Sequence, residues 1–245
     1  METKINVVLV HGAWADGSSW NRVVLPLLNE GLKVICAPIP LTSLSEDIAA
    51  LDHVIARTEG PVLLAAHAYA GAVIAGTTNE RVRSLVYVAA LAPDEGETVA
   101  DVFYKELPHP QAPHLQPDGD GLIWMTNEGF QNAFAQNSSK ETKALSEAVQ
   151  RPLSVRCIQE AAPKPGWKSK PSWFLIATED RMINPKTQQF MAERMGAKIR
   201  VRSVDHTPLL TAPDRVSVPA AVACTVPPPA PLMVIGRSVV SVPPV

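Results

Sequence analysis

The chain has 245 residues, 46% hydrophobic and 19% charged, with a formal net charge of −2. That length suits one domain with a sizeable core. The scattered, nearly balanced charge excludes the basic stripe of a nucleic-acid or anionic-membrane binder, and no apolar run is long enough to span a bilayer. Residues 5–10 are a valine-rich apolar run, as a strand buried on both faces requires, and they end at His11-Gly12. Residues 20–30 carry Trp20, Val23, Val24, Leu27 and Leu28 at helical spacing and stop at Gly31, a residue suited to a C-terminal cap. A short strand is predicted at 33–36, then a helix at 44–58 capped by Ser43 or Ser45, with Ile48, Leu51, Val54 and Ile55 on one face. Strands at 62–65 and 84–89 flank a helix at 71–78. Strands alternating with helices predict an α/β fold, a doubly wound, mostly parallel sheet.

Residues 93–170 break this rhythm with several prolines and two predicted helices, at 128–136 and 140–150. A long insertion of this kind in a compact domain usually has a task. Trp124, Met125 and Phe130 are candidates for its apolar underside, and Trp124 for a pocket wall. The sheet resumes at 173–177, a helix follows at 185–195 with Pro185 at a favoured early position, and a strand at 198–204 leads to His206. From residue 217 the composition turns proline-rich. A helix beginning at Asp214 would stop at Pro219, and 232–235 and 238–242 could pair as a strand or hairpin. The organisation expected is a core of 1–92 and 171–216, an insertion at 93–170 and an atypical tail at 217–245.

The stretch 62–74 carries most of the functional information. It reads as a buried strand, an abrupt turn of small residues and a helix, the layout of a nucleophile elbow. The five positions of Gly-x-Ser-x-Gly are here Ala66, His67, Ala68, Tyr69 and Ala70. The nucleophile's slot holds a methyl group, and two glycines have become alanines, so the turn or its packing is expected to shift. Asp180 follows the strand at 173–177 and His206 follows the last one, the second half of a Ser-Asp-His chain order. Asp180 can fix the tautomer of His206 and stabilise its imidazolium. Asp205 is a weaker candidate for the acid, because adjacent side chains rarely meet head-on, and Glu179 is expected in solvent. His67 is expected on the far side of the turn as a packed structural histidine, and Ser18 and Ser19 as helix caps rather than nucleophiles.

With His11-Gly12-Ala13-Trp14, the degenerate elbow, Asp180 and His206, residues 5–216 resemble a small α/β-hydrolase of the group containing carboxylesterases, methylesterases and hydroxynitrile lyases. The resemblance implies a helical cap at 93–170 and an oxyanion hole made of the backbone N–H groups of Ala13 and Tyr69, with Trp14 and Tyr69 available to line the pocket. It implies no cofactor and no metal. The partner expected is a small hydrophobic substrate or ligand, with no nucleic acid and no membrane; a homodimer stays open. Without a hydroxyl at Ala68 there is no acyl-enzyme, so hydrolysis of a small apolar ester, thioester or lactone, or a lyase or proton-transfer reaction on a related carbonyl compound, would rest on His206 and Asp180 as a general-base pair. The alternatives are a non-catalytic protein that binds a hydrophobic ligand, or a serine-knockout variant of an esterase. Cys36, Cys157 and Cys224 lack metal-ligand spacing and read as reduced thiols. With no secretory leader at residues 1–4, a cytoplasmic location is expected.

Overall fold

The apolar runs become strands in the computed structural model, which describes residues 5–216. They are β1 (Asn6–Val10), β2 (Lys33–Ala37), β3 (Val62–His67) and β4 (Val82–Val88), a short pair within the insertion, β5 (Leu122–Ile123) and β6 (Leu153–Ser154), then β7 (Ser172–Ala177) and β8 (Lys198–Arg202). Six of them form one sheet in the order β2-β1-β3-β4-β7-β8, every neighbouring pair parallel. Period-2 alternation explains why β1 and β3 are apolar throughout. Val8, Val10, Leu64 and Ala66 face one core, while Val7, Leu9, Leu63 and Ala65 face the other. The chain steps from β1 out to β2, then returns past β1 to add β3. The carboxyl ends of β1 and β3 thus diverge at a topological switch point, where open α/β sheets form a ligand crevice.

The core helices follow the predicted faces. The first begins with a 3-10 turn at Gly17–Trp20 capped by Asp16, whose carboxylate accepts from the Ser18 N–H at 2.8 Å. This corrects the expectation that Ser18 or Ser19 is the cap. α1 (Asn21–Asn29) buries Val23 and Leu27 and terminates at Gly31, whose φ of +80° favours glycine. α2 (Leu44–Ala56) is capped by Ser43, which accepts from the Glu46 N–H at 3.1 Å. α3 (Ala70–Gly76) is buried along its whole length.

The insertion holds α4 (Val99–Phe103), the antiparallel pair β5 and β6, α5 (Asn127–Gly129) continuing into a π-helical turn at Phe130–Phe134, α6 (Lys140–Ala148) and α7 (Arg156–Gln159). It is tied to the core by directed bonds. The Trp14 indole donates to Ile123 O at 2.8 Å, the Ser154 N–H to Leu41 O at 3.0 Å, and the Arg151 guanidinium to Ile39 O at 2.9 Å. After β7, α8 (Pro185–Arg194) starts behind its cap Asn184, and α9 (Pro208–Thr211) follows β8. β8 ends at Arg202, two residues short of the predicted bound, and lies at the edge of the sheet opposite β2, carrying Lys198, Arg200 and Arg202. Among the described residues no helix is long and apolar enough to cross a membrane. The expectations for Pro219, 232–235, 238–242 and Cys224 lie outside the described residues.

Candidate active site

Ala68 occupies the turn between β3 and α3 with φ of +50°. A left-handed conformation costs a residue with a Cβ roughly 1–2 kcal/mol, and it persists only where the surroundings over-determine it. Here they do. The Ala68 N–H donates to Val88 O at 3.3 Å, and Ala68 O accepts from Gly71 at 3.1 Å and Leu91 at 2.9 Å. The methyl groups of Ala66 and Ala70 are fully buried beside a turn whose central residue has a left-handed φ. The close backbone approach is made instead by Gly71, where a Cβ would lie 2.3 Å from Leu91 O. Gly12 approaches from β1, where a Cβ would lie 3.0 Å from the Ala68 methyl.

His206 and Asp180 are brought together from the ends of β8 and β7. The His206 Nδ1 lies 2.9 Å from Asp180 Oδ2, both residues buried. The Asp180 carboxylate is saturated. Its Oδ1 accepts from the backbone N–H of Met182 at 2.7 Å and of Ile183 at 2.9 Å, and its Oδ2 accepts also from Gln188 Nε2 at 2.8 Å. Gln188, on α8, further receives the Ala177 N–H on Oε1 at 3.0 Å. With Nδ1 committed to a carboxylate that only accepts, the tautomer is set, and Nε2 is the nitrogen left for the cavity that His206 lines. Asp205 turns away, accepting from Thr211 Oγ1 at 2.6 Å and the Asn137 N–H at 3.2 Å, and Glu179 is exposed.

His67 is a packed structural residue, but it is not remote from the site. Its Nε2 donates to His206 O at 2.7 Å, and the two rings sit 4.8 Å apart. Burial first, and then the neighbouring His206, push its pKa down to about 3, so it stays neutral near pH 7. Burial also lowers the pKa of His11. The Phe134 ring lies 5.6 Å from that of His206 and 6.4 Å from that of Trp14, closing the other flank.

A cavity of about 170 Å³ opens above Ala68. Its core side includes Ala13, Trp14, Ala68, Tyr69 and His206, and its insertion side Val99, Phe103, Ile123, Val155 and Ile158. Neither the Ala13 nor the Tyr69 N–H has an acceptor among the described residues. Among the described residues no Asp, Glu, Lys or Arg side chain lines the space. Trp124 does not reach it: the extended chain running on from β5 alternates, with Ile123 and Met125 buried and Trp124 49% exposed. That corrects the expectation of Trp124 as a pocket wall, while Met125 and Phe130 are buried as expected. Among the described residues no cluster of three or more His, Cys, Asp or Glu side chains is suited to hold a metal ion.

Comparison with known proteins agrees with this fold. A family profile described as alpha/beta hydrolase family matches residues 7–218. A carbendazim-hydrolysing esterase of Nocardioides is 29% identical over 120 residues, covering 42% of this chain and 49% of that enzyme, so the chain matches about half the relative's length. Among solved structures, polyneuridine aldehyde esterase aligns with a TM-score of 0.75 at 18% identity, covering 87% of this chain and 96% of that one. A pyrethroid hydrolase of Sphingobium faniae gives 0.75 at 21% identity, covering 91% and 97%. A methylesterase of Arabidopsis gives 0.72 at 17%, covering 90% and 99%. At these identities the structural likeness speaks for the fold.

Proposed function

Because this chain belongs to the α/β-hydrolase family, we propose that it hydrolyses small, uncharged, apolar esters, thioesters or lactones without a covalent intermediate. The observation that carries the reading is one cavity lined at once by Ala68 and by His206, whose other ring nitrogen is held by Asp180. His206 Nε2 takes a proton from a water molecule as that water attacks the carbonyl carbon. The N–H groups of Ala13 and Tyr69 receive the developing oxyanion, and backbone donors act regardless of the side chain at Ala68. Asp180 stabilises the imidazolium, which then returns its proton to the leaving oxygen or sulfur. In Ser-His-Asp enzymes stripped of one triad member, the oxyanion hole and binding alone sustain on the order of 10³–10⁴-fold catalysis over water. Slow turnover is therefore expected. The uncharged lining favours neutral substrates, because burying a charge there would go uncompensated.

The test is turnover of p-nitrophenyl acetate and a lactone panel by the wild type, Ala68→Ser and His206→Ala. Slow wild-type hydrolysis abolished in His206→Ala supports the base mechanism, and Ala68→Ser should raise kcat by roughly 10²-fold or more by restoring the covalent route. Ligand binding without turnover, unchanged in His206→Ala, would replace this reading with that of a binding protein. Activity confined to Ala68→Ser would show a serine-dependent site that has lost only its nucleophile.

A further inference from the structure

Among the described residues two buried carboxylates, Asp47 and Asp205, take no part in this mechanism, and Asp47 is the one bonded to a side chain that lines the cavity. Asp47, on the first turn of α2, is fully buried. Its Oδ2 accepts from the Tyr69 hydroxyl at 2.7 Å and from the Cys157 thiol at 3.7 Å, and its Oδ1 accepts from the Leu41 N–H at 2.7 Å. These partners come from three different places. Tyr69 follows the elbow and lines the cavity, Cys157 lies on α7 of the insertion, and Leu41 belongs to the loop on which Arg151 and Ser154 of the insertion dock. Residues beside Cys157 on the chain, Val155 and Ile158, line the cavity too. A single side chain thus pins two of its walls, the ring of Tyr69 and the inner face of α7. Burial holds the Asp47 pKa above the usual carboxylate range, opposed by these donors. Burial likewise pushes the Cys157 thiol up to about 12, so the thiol remains a proton donor to Asp47 near pH 7.

We propose that Asp47 is a specificity-determining positioning residue: by fixing Tyr69 against α7 it sets the width of the cavity, which then accepts uncharged carbonyl compounds bearing one ring or a short chain and rejects wider ones. This rests on the reading of the cavity as the substrate site. The size follows from the volume. A cavity of about 150 Å³ holds benzene, and the space above Ala68 is of that order. Unpinning the Tyr69 ring and α7 would let the walls spread and weaken the size limit without removing an apolar surface.

The experiment measures binding of two neutral ketones, acetophenone with one ring and 2-acetonaphthone with two, by calorimetric titration. Ketones are not hydrolysed, so the result is independent of turnover. The wild type is expected to favour the one-ring ketone by about tenfold or more, the scale at which apolar pockets discriminate by size. Asp47→Ala and Tyr69→Phe should each reduce that ratio to within about threefold, while Asp47→Asn, which keeps an acceptor oxygen in place, should retain it. A ratio of two affinities is not moved by a lower fraction of folded protein, and Tyr69→Phe decides the matter if Asp47→Ala does not fold. The proposal is overturned if the wild type shows no size preference, if Tyr69→Phe keeps the wild-type ratio, or if Asp47→Asn behaves as Tyr69→Phe does. A preserved size preference in a protein that hydrolyses no ester would sink the general-base reading and leave this one standing.

Discussion

Gln188 is bonded on both ends of its amide, to Asp180 and Ile183 O through Nε2 and to the Ala177 N–H through Oε1, and it is fully buried. Replacing it with leucine leaves a buried carboxylate short of a donor and a buried N–H without an acceptor, a loss of roughly 1–3 kcal/mol for each orphaned group. Gln188→Leu is therefore expected to lower the thermal midpoint and to reduce kcat more than KM, as measured by calorimetry and steady-state kinetics. His67 carries a pH dependence of opposite character to a surface histidine. Its folded pKa of about 3 lies below its ordinary 6.5, so the unfolded chain binds the proton first. The stability it permits is complete above about pH 6.5 and is lost as pH falls from there toward 3, by up to about 1.4 kcal/mol per pH unit. Urea midpoints between pH 7 and 5 should fall less steeply in His67→Gln than in the wild type. None of these partnerships was readable in advance: a glutamine eight residues after an aspartate carries no pattern, and nothing in the sequence announces which backbone carbonyl a buried imidazole will meet.

At the scale of elements, the sheet and its helices were legible because parallel strands buried on both faces are written as unbroken apolar runs. The elbow was legible because a strand, a small-residue turn and a helix follow one another within 62–74. The crowding at the turn was not, because it depends on tertiary approach. The critical glycine is Gly71, beyond the five-residue pattern, where α3 meets the chain leaving β4 at Leu91. Gly71→Ala should destabilise the fold by more than about 3 kcal/mol or prevent folding, since the obstacle is backbone and cannot swing aside. By contrast Ala70→Gly should cost only about 1 kcal/mol, the ordinary penalty of glycine within a helix. Chemical denaturation of both variants checks the pair. One omission and one misreading had visible signals. Thr98 and Asp101 form a capping box that opens α4, and Leu122 to Met125 alternate, which fixes Trp124 outward.

Across the whole molecule, the cavity exists only where core and insertion meet, so the bonds that join them govern it. Arg151 holds the insertion to the loop before α2 through Ile39 O and Pro40 O. Arg151→Met should leave the sheet intact while the amides of β5 and β6 exchange with deuterium roughly tenfold faster, a local opening made easier by about 1.4 kcal/mol. The six-stranded sheet also ends at β8, whose outer side has no paired strand among the described residues. Lys198, Arg200 and Arg202 place three cations within five residues of that margin. Two copies meeting there would set like charges against each other, so electrostatic repulsion opposes fibre-like growth along this strand. Any symmetric pairing of copies must then use another face, and neutral substitutions at Lys198 and Arg200 would turn this rim into an adhesive one.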